Sequence, residues 1–159
     1  MTRRISRRVM LAQFAGGLAA AAVASRQATA QTRIPIAVYK DKNCGCCHLW
    51  VEHMAANGFA PAVTDAADMK PIKVRYKVPA KLESCHTAFV GGTYVIEGHV
   101  PAADVKRLLA QKPTGIVGLT VPGMPQSAPG MDVKPFQAYS VLTFDTAGKT
   151  TVFAKHDKA

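Results

Sequence analysis

The sequence is short of aromatics, at 7% with a single tryptophan, and its first 30 positions contain no acidic residue. It has no arginine-rich block and no alternation of basic and aromatic residues, which removes the usual grounds for a nucleic-acid surface. No internal repeat recurs and no polar low-complexity tract interrupts the chain, so neither a solenoid nor wholesale disorder is expected. The net charge of +10 is misleading on its own. Five of the 20 basic residues (Arg3, Arg4, Arg7, Arg8, Arg26) lie in the first 30 positions, leaving 15 against 10 acidic ones, a net of +5. At 159 residues and 48% hydrophobic, the chain has material for one compact core.

The basic start is followed by an apolar stretch from Val9 to Ala24 and by Ala28-Thr29-Ala30, the three parts of an export signal. An apolar stretch of 16 residues, containing Gln13, Gly16 and Gly17, reaches only ~24 Å as a helix, short of the ~30 Å hydrocarbon core. Ser6-Arg7-Arg8-Val9-Met10-Leu11 resembles a twin-arginine signal, with an ordinary Sec signal or an uncleaved anchor as the alternatives. The expectation is a cleaved signal over 1–30 and one periplasmic domain over 31–159, with no membrane span once the signal is gone.

All four cysteines (Cys44, Cys46, Cys47, Cys85) fall in that expected mature part. Even numbers of cysteines in exported chains ordinarily mean disulfides. Here three of them crowd into Cys44-Gly45-Cys46-Cys47, between an apolar β-branched run (34–39) and a helical pattern carrying Leu49, Trp50, Val51 and Met54. A helix N-terminus favours anions and therefore thiolates. Cys44 and Cys47 have the C-x-x-C spacing of a dithiol oxidoreductase, but a third thiol in the loop suits metal ligation better. Cys85, after Pro79, is expected to approach this helix as a cis-proline loop does in thioredoxin-like folds. Soft thiolates select Cu(I), Zn(II) or iron–sulfur clusters. Clustered ligation is favoured over thiol–disulfide exchange and over two structural disulfides.

His86 adjoins Cys85, and His99 follows in Glu97-Gly98-His99-Val100-Pro101. Strict strand alternation points Cys85 and His86 to opposite faces, so both bind one ion only if that segment is still loop. His48 is a candidate for a supporting role, His53 for packing, and His156 for a solvated tail. Met124 and Met131 sit in a Pro/Gly-rich loop, and thioether sulfur favours Cu(I) over zinc. Thiolate, imidazole and thioether together point to copper.

The order strand, helix, strand, helix, hairpin (87–90 with 94–97), helix predicts an α/β, thioredoxin-like mixed sheet with flanking helices. An irregular stretch over 113–135 and a terminal hairpin (139–144 with 150–153) are expected to follow.

Four segments carry a family resemblance: Asn43-Cys44-Gly45-Cys46-Cys47 with Trp50; Ser84-Cys85-His86-Thr87-Ala88; Ile96-Glu97-Gly98-His99-Val100-Pro101; and Val121-Pro122-Gly123-Met124-Pro125 with Pro129-Gly130-Met131. In this order they resemble the small bacterial copper-resistance proteins called CopG. The resemblance implies a periplasmic thioredoxin-like domain binding several copper ions, Cu(I)/Cu(II), through bridging cysteines, with a proposed redox role in copper tolerance. By that resemblance Cys44, Cys46, Cys47 and Cys85 form the cluster; it does not say which of His86, His99, Met124 and Met131 ligate. Lys77-Val78-Pro79 departs from the family's more usual Gly-Val-Pro. The small basic excess suits docking to a copper chaperone or an efflux component. The rival readings are a dithiol oxidoreductase using Cys44 and Cys47, and a structural four-thiolate zinc site.

Overall fold

A computed structural model describes residues 32–158; the expected export signal lies outside the described residues. Strand β1 (Ile34–Asp41) alternates, with Ile36, Val38 and Lys40 buried. Asp41 turns the chain: its carboxylate accepts from Asn43 N at 2.7 Å and its carbonyl from Cys44 N at 3.0 Å. Cys44 occupies the N-cap position of α1 (Gly45–Ala56), which buries Cys47, Trp50 and Met54 along one stripe. An edge strand, β2 (Phe59–Ala66), lies parallel to β1. Asp68 accepts from Lys70 N at 2.8 Å, and Pro71 stands in the first turn of α2 (Lys70–Arg75).

A 3-10 turn (Ala80–Leu82) precedes the hairpin β3 (His86–Val90) and β4 (Tyr94–Glu97). Helix α3 (Ala102–Gln111) opens after Pro101. Strands β5 (Gly118–Thr120), β6 (Tyr139–Phe144) and β7 (Thr150–His156) complete a seven-stranded mixed sheet in the order β2-β1-β3-β4-β5-β6-β7. The class is α/β, as the sequence predicts, and the β2-β1-β3-β4 half with its helices is compatible with the thioredoxin-like arrangement. No helix among the described residues is long and apolar enough to cross a membrane.

Both faces of the sheet are covered. One core gathers Trp50 and Met54 of α1 and Val105 and Leu108 of α3 over Val38 and Ile96. A smaller one packs Val78, Leu82, Val95 and Phe144 with Tyr76 and Phe89 on the opposite face. This is why the hairpin strands read as continuous apolar runs.

Three expectations need correction. The stretch 113–135 is not wholly irregular: it contains β5, too short to leave a periodic signal, paired parallel to β4. The last strand continues to His156, which is not a solvated residue: its Nε2 lies 2.7 Å from Asp104 Oδ2 and its ring stacks on Tyr139. Among the described residues the cis peptide is Lys134–Pro135, not one at Pro79. Cys85 reaches α1 instead through the antiparallel β1–β3 register, in which Lys40 faces His86. Separately, Lys77 takes φ 57°, a left-handed conformation that glycine adopts freely, so the departure from Gly-Val-Pro leaves the backbone bend in place.

Candidate metal centre

Three chain segments meet at one edge of the sheet because three strand boundaries coincide there. β1 ends at Asp41 and hands over to the α1 N-terminus; β3, antiparallel to it, begins at His86; β4 ends at Glu97, opposite Thr87. Residues just beyond those boundaries converge. Cys44, Cys46, Cys47 and Cys85 have sulfurs all within 4.8 Å of one another. A second group, Cys47, Cys85, His86 and His99, meets the same limit. The two quartets share Cys47 and Cys85.

Cys44 and Cys47 form a disulfide with Cα atoms 5.4 Å apart, and Cys46 and Cys85 are free. Cys46 Sγ lies 3.5 Å from Cys44 Sγ. Cys85 Sγ lies 3.1 Å from His99 Nε2 and 3.5 Å from His86 Nδ1. Cys85 is the last residue before β3, so strand alternation does not separate it from His86. Cys47, His86 and His99 are buried, while the other three sulfurs belong to half-buried residues.

The imidazoles are held differently. Nδ1–H of His99 donates to Pro129 O at 2.7 Å, which fixes the tautomer and leaves the Nε2 lone pair facing Cys85. His86 packs 4.2 Å from the Trp50 ring and edge-on to His99 at 5.0 Å. Its Nε2 is buried with no hydrogen-bond partner. An orphaned buried nitrogen beside thiols is costly in an apolar site and is relieved by a ligand.

Burial governs the protonation states. It pushes the Cys85 thiol up to about 11, with the neighbouring Cys46 adding to the effect. Helix-end depression of a thiol pKa therefore does not extend to Cys85, which lies outside α1. Burial also lowers His99, and lowers His86 well below its ordinary range with help from His99 and Lys73. The pocket thus holds neutral imidazoles and a protonated thiol until a cation displaces the proton. The donor set of thiols and neutral imidazoles fits a soft metal.

The loop carrying the methionines forms the adjoining wall. A Cβ on Gly130, whose φ is +85°, would lie 2.7 Å from Trp50 N and 3.1 Å from Cys46 O, so only glycine lets the loop touch the first turns of α1. Met131 follows directly, and Met124, at φ 48°, stands earlier on the same loop; both are half-buried. His48 and His53, like His156, lie outside both quartets. His48 is exposed and pairs with Glu52 at 3.2 Å, which gives no support to a role beside the cluster. His53 accepts from Ala102 N at 3.1 Å and ties α1 to the start of α3, a packing role. Sequence reasoning missed the Pro129 carbonyl, because a backbone acceptor leaves no residue-type signature.

Comparison with known proteins agrees with this geometry. Residues 82–131 match a family described as a protein of unknown function, DUF411. No curated protein matches the chain. Two solved structures are similar, both of copper resistance protein copG. Form 1 is 40% identical, with a TM-score of 0.72, covering 79% of this chain and 99% of its own. Form 2 is 42% identical, with a TM-score of 0.71, covering 78% and 98%. Identity at that level across almost the full length of those chains means that this chain belongs to the CopG family of copper resistance proteins.

Proposed function

We propose that the protein is an exported, periplasmic copper-binding protein that contributes to copper resistance by holding more than one Cu(I) ion in its cysteine pocket. The domain would be residues 31–159 after removal of 1–30. The observation that carries this reading is the overlap of the two quartets at Cys47 and Cys85. Two four-donor sets drawn from these six side chains have to share Cys47 and Cys85, and thiolate sulfur bridges readily. Several positive ions also offset thiolate charge that burial makes unfavourable. Cys44, Cys46, Cys47 and Cys85 are the proposed bridging set, His86 and His99 the nitrogen donors, and Met124 and Met131 thioether donors or covers from the loop. A single structural zinc uses one tetrahedral set and leaves the second without a role.

The test is anaerobic titration of the reduced protein with Cu(I) against a competing chelator, and separately with Zn(II). More than one tightly held Cu(I) is expected, with the emission of Trp50, the chain's one tryptophan, changing as His86 beside it is engaged. Saturation at one ion, or preference for zinc, overturns the reading.

The Cys44–Cys47 disulfide at the head of α1 supports a second reading, a thiol–disulfide oxidoreductase for which copper is incidental. That reading requires metal-free disulfide exchange that is lost in Cys44→Ser and kept in Cys46→Ser.

A further inference from the structure

Behind the cysteine pocket, on the sheet face covered by α2, lies a buried polar network that copper binding as described does not use. Lys73 of α2 is 4% exposed and Glu97, the last residue of β4, is fully buried. Lys73 Nζ pairs with Glu97 Oε1 and donates to Thr87 Oγ1 at 3.2 Å. The Thr87 hydroxyl donates to Glu97 Oε2 at 2.7 Å. One donor in the network comes from outside these strands and α2: Ser84 N–H donates to Glu97 Oε1 at 2.6 Å. Ser84 immediately precedes Cys85.

We infer that Glu97 is a positioning residue for the metal centre: its carboxylate, neutralised by Lys73, pins Ser84 and thereby holds Cys85 against His99. The inference rests on the copper reading above for its purpose, and on the network alone for its geometry. Alternation puts Thr87 and Glu97 on the face opposite His86. Glu97 therefore restrains the 83–85 segment from behind, and the sulfur-bearing side stays free for an ion. The chain then turns at Gly98, φ +72°, and delivers His99 to the pocket. Gly98 closes the clamp: a Cβ there would lie 2.5 Å from Ser84 Oγ. Ser84 is gripped between the carboxylate of Glu97 and the backbone of the next residue, while Gly98 N–H donates to His86 O at 3.0 Å. Cys85 and His99, 3.1 Å apart at their donor atoms, are thus set by two consecutive residues, Glu97 and Gly98.

A buried ion pair alone contributes little net stability over a neutral pair of similar shape, so stability is a weak reason for it. Orientation of a ligand by a buried acceptor gives it a use.

The test uses the protein with its Cys44–Cys47 disulfide intact and no metal, where Cys46 is an internal reference for alkylation of Cys85 by iodoacetamide. Two double variants separate positioning from packing. Lys73→Met with Glu97→Gln removes both charges but keeps a carbonyl for Ser84 N–H. Lys73→Met with Glu97→Met removes the acceptor too. With folding checked by circular dichroism, the Gln variant should keep the wild-type Cys85:Cys46 ratio. The Met variant should raise it about tenfold, the scale of one lost buried hydrogen bond, and lower the Cu(I) capacity of the reduced protein. Equal ratios in the two folded variants overturn the inference. Should the Met variant not fold, Ser84→Pro deletes the N–H donor and leaves the ion pair in place, with Ser84→Ala as the control for the hydroxyl it also removes, which lies 3.9 Å from Cys85 Sγ. Glu83, at φ −58° and ψ 139°, already has the backbone a following proline requires. An unchanged ratio in Ser84→Pro is equally fatal. A wild type that takes up no copper sinks the copper reading, while the alkylation ratios still decide this one.

Discussion

Cys47, buried in the first turn of α1, and Cys85, at the threshold of β3, bring their sulfurs within 4.8 Å of each other and are the two residues common to both candidate ligand quartets. Neither element determines this alone. The helix places Cys47 through its burial with Trp50, and the β1–β3 register places Cys85. Cys44 and Cys46 complete one quartet, and His86 and His99 the other.

Capacity for Cu(I) should therefore fall unevenly across single substitutions. Cys85→Ser takes a donor from both quartets and should reduce the tightly bound ions to one or none. His99→Ala takes a donor from one quartet and should leave the four-cysteine group able to load. Cys85 is half-buried, so its serine variant should melt near the wild type. Equal losses in the two variants, by copper analysis after chelator challenge, would mean that the quartets do not share their ligands.

The Cys44–Cys47 bond withholds two thiolates, one of them a shared donor. The oxidised protein should load fewer Cu(I) ions than the reduced one, and a dithiol reductant should restore capacity. The converse is balanced chemistry: two thiols giving up two electrons and two protons convert two Cu(II) to two Cu(I) and leave one disulfide. Reduced metal-free protein mixed with Cu(II) under anaerobic conditions should form one disulfide for every two Cu(I) produced, read by thiol counting and a Cu(I)-specific chelator. Cu(I) appearing with no thiol loss would sink this.

Much of this was legible in the chain. The cysteine spacing, Cys85-His86, and the glycine turn of the hairpin carried the fold class and the set of candidate donors, because each is a local signature of a backbone geometry or of a soft donor. What was not legible depends on contacts between distant segments. β5 is three residues long and owes its pairing to β4. His156 is drawn from the tail into β7 by Asp104 on α3. The approach of Cys85 to α1 follows strand register, where a cis-proline was expected. Pro129 orients His99 through a carbonyl that every residue possesses.

Stability of the metal-free protein should have a plateau bounded by buried groups in and beside the pocket. His53, His86 and His99 are lowered by burial from 6.5, so below that pH the unfolded chain binds more protons and stability falls as pH drops. Glu97, raised from 4.5, opposes this at the acid end with one carboxyl against three imidazoles. Cys85 is raised from 9.0 to about 11, so the folded state holds the extra proton and stability falls as pH climbs through that window. Melting temperatures should be flat from about pH 6.5 to 9 and decline on either side, with Cys85→Ser removing part of the alkaline decline. A Tm rising steadily from pH 9 to 11 contradicts the sign.

Lys77 stands just past α2 with φ 57°, where its N–H donates to Val74 O at 3.0 Å. A non-glycine residue in this conformation costs about 1–2 kcal/mol, against about 0.5–1 kcal/mol for glycine's greater freedom in the unfolded chain. Lys77→Gly should thus stabilise by about 1 kcal/mol or less, an upward Tm shift of a few degrees without change in copper capacity. A lower Tm would mean that the lysine side chain contributes more than its backbone costs.

Gly130 presents the opposite case, and one tied to the metal centre. Its Cα rests on α1 so closely that an added Cβ meets Trp50 N at 2.7 Å, and its φ of +85° disfavours any side chain. Backbone on both sides makes relief by a rotamer change impossible, so Gly130→Ala must push the loop outward. The cost should be about 2–4 kcal/mol from the left-handed backbone and the overlap combined. Pro129, the preceding residue, moves with the loop, and its carbonyl then loses the Nδ1–H of His99. The variant should therefore show weakened Cu(I) affinity as well as a lowered Tm. Titrating the His99 ring by NMR separates the effects: a destabilised variant that keeps wild-type affinity and the wild-type tautomer of His99 would show that the loop covers the pocket without orienting its ligand.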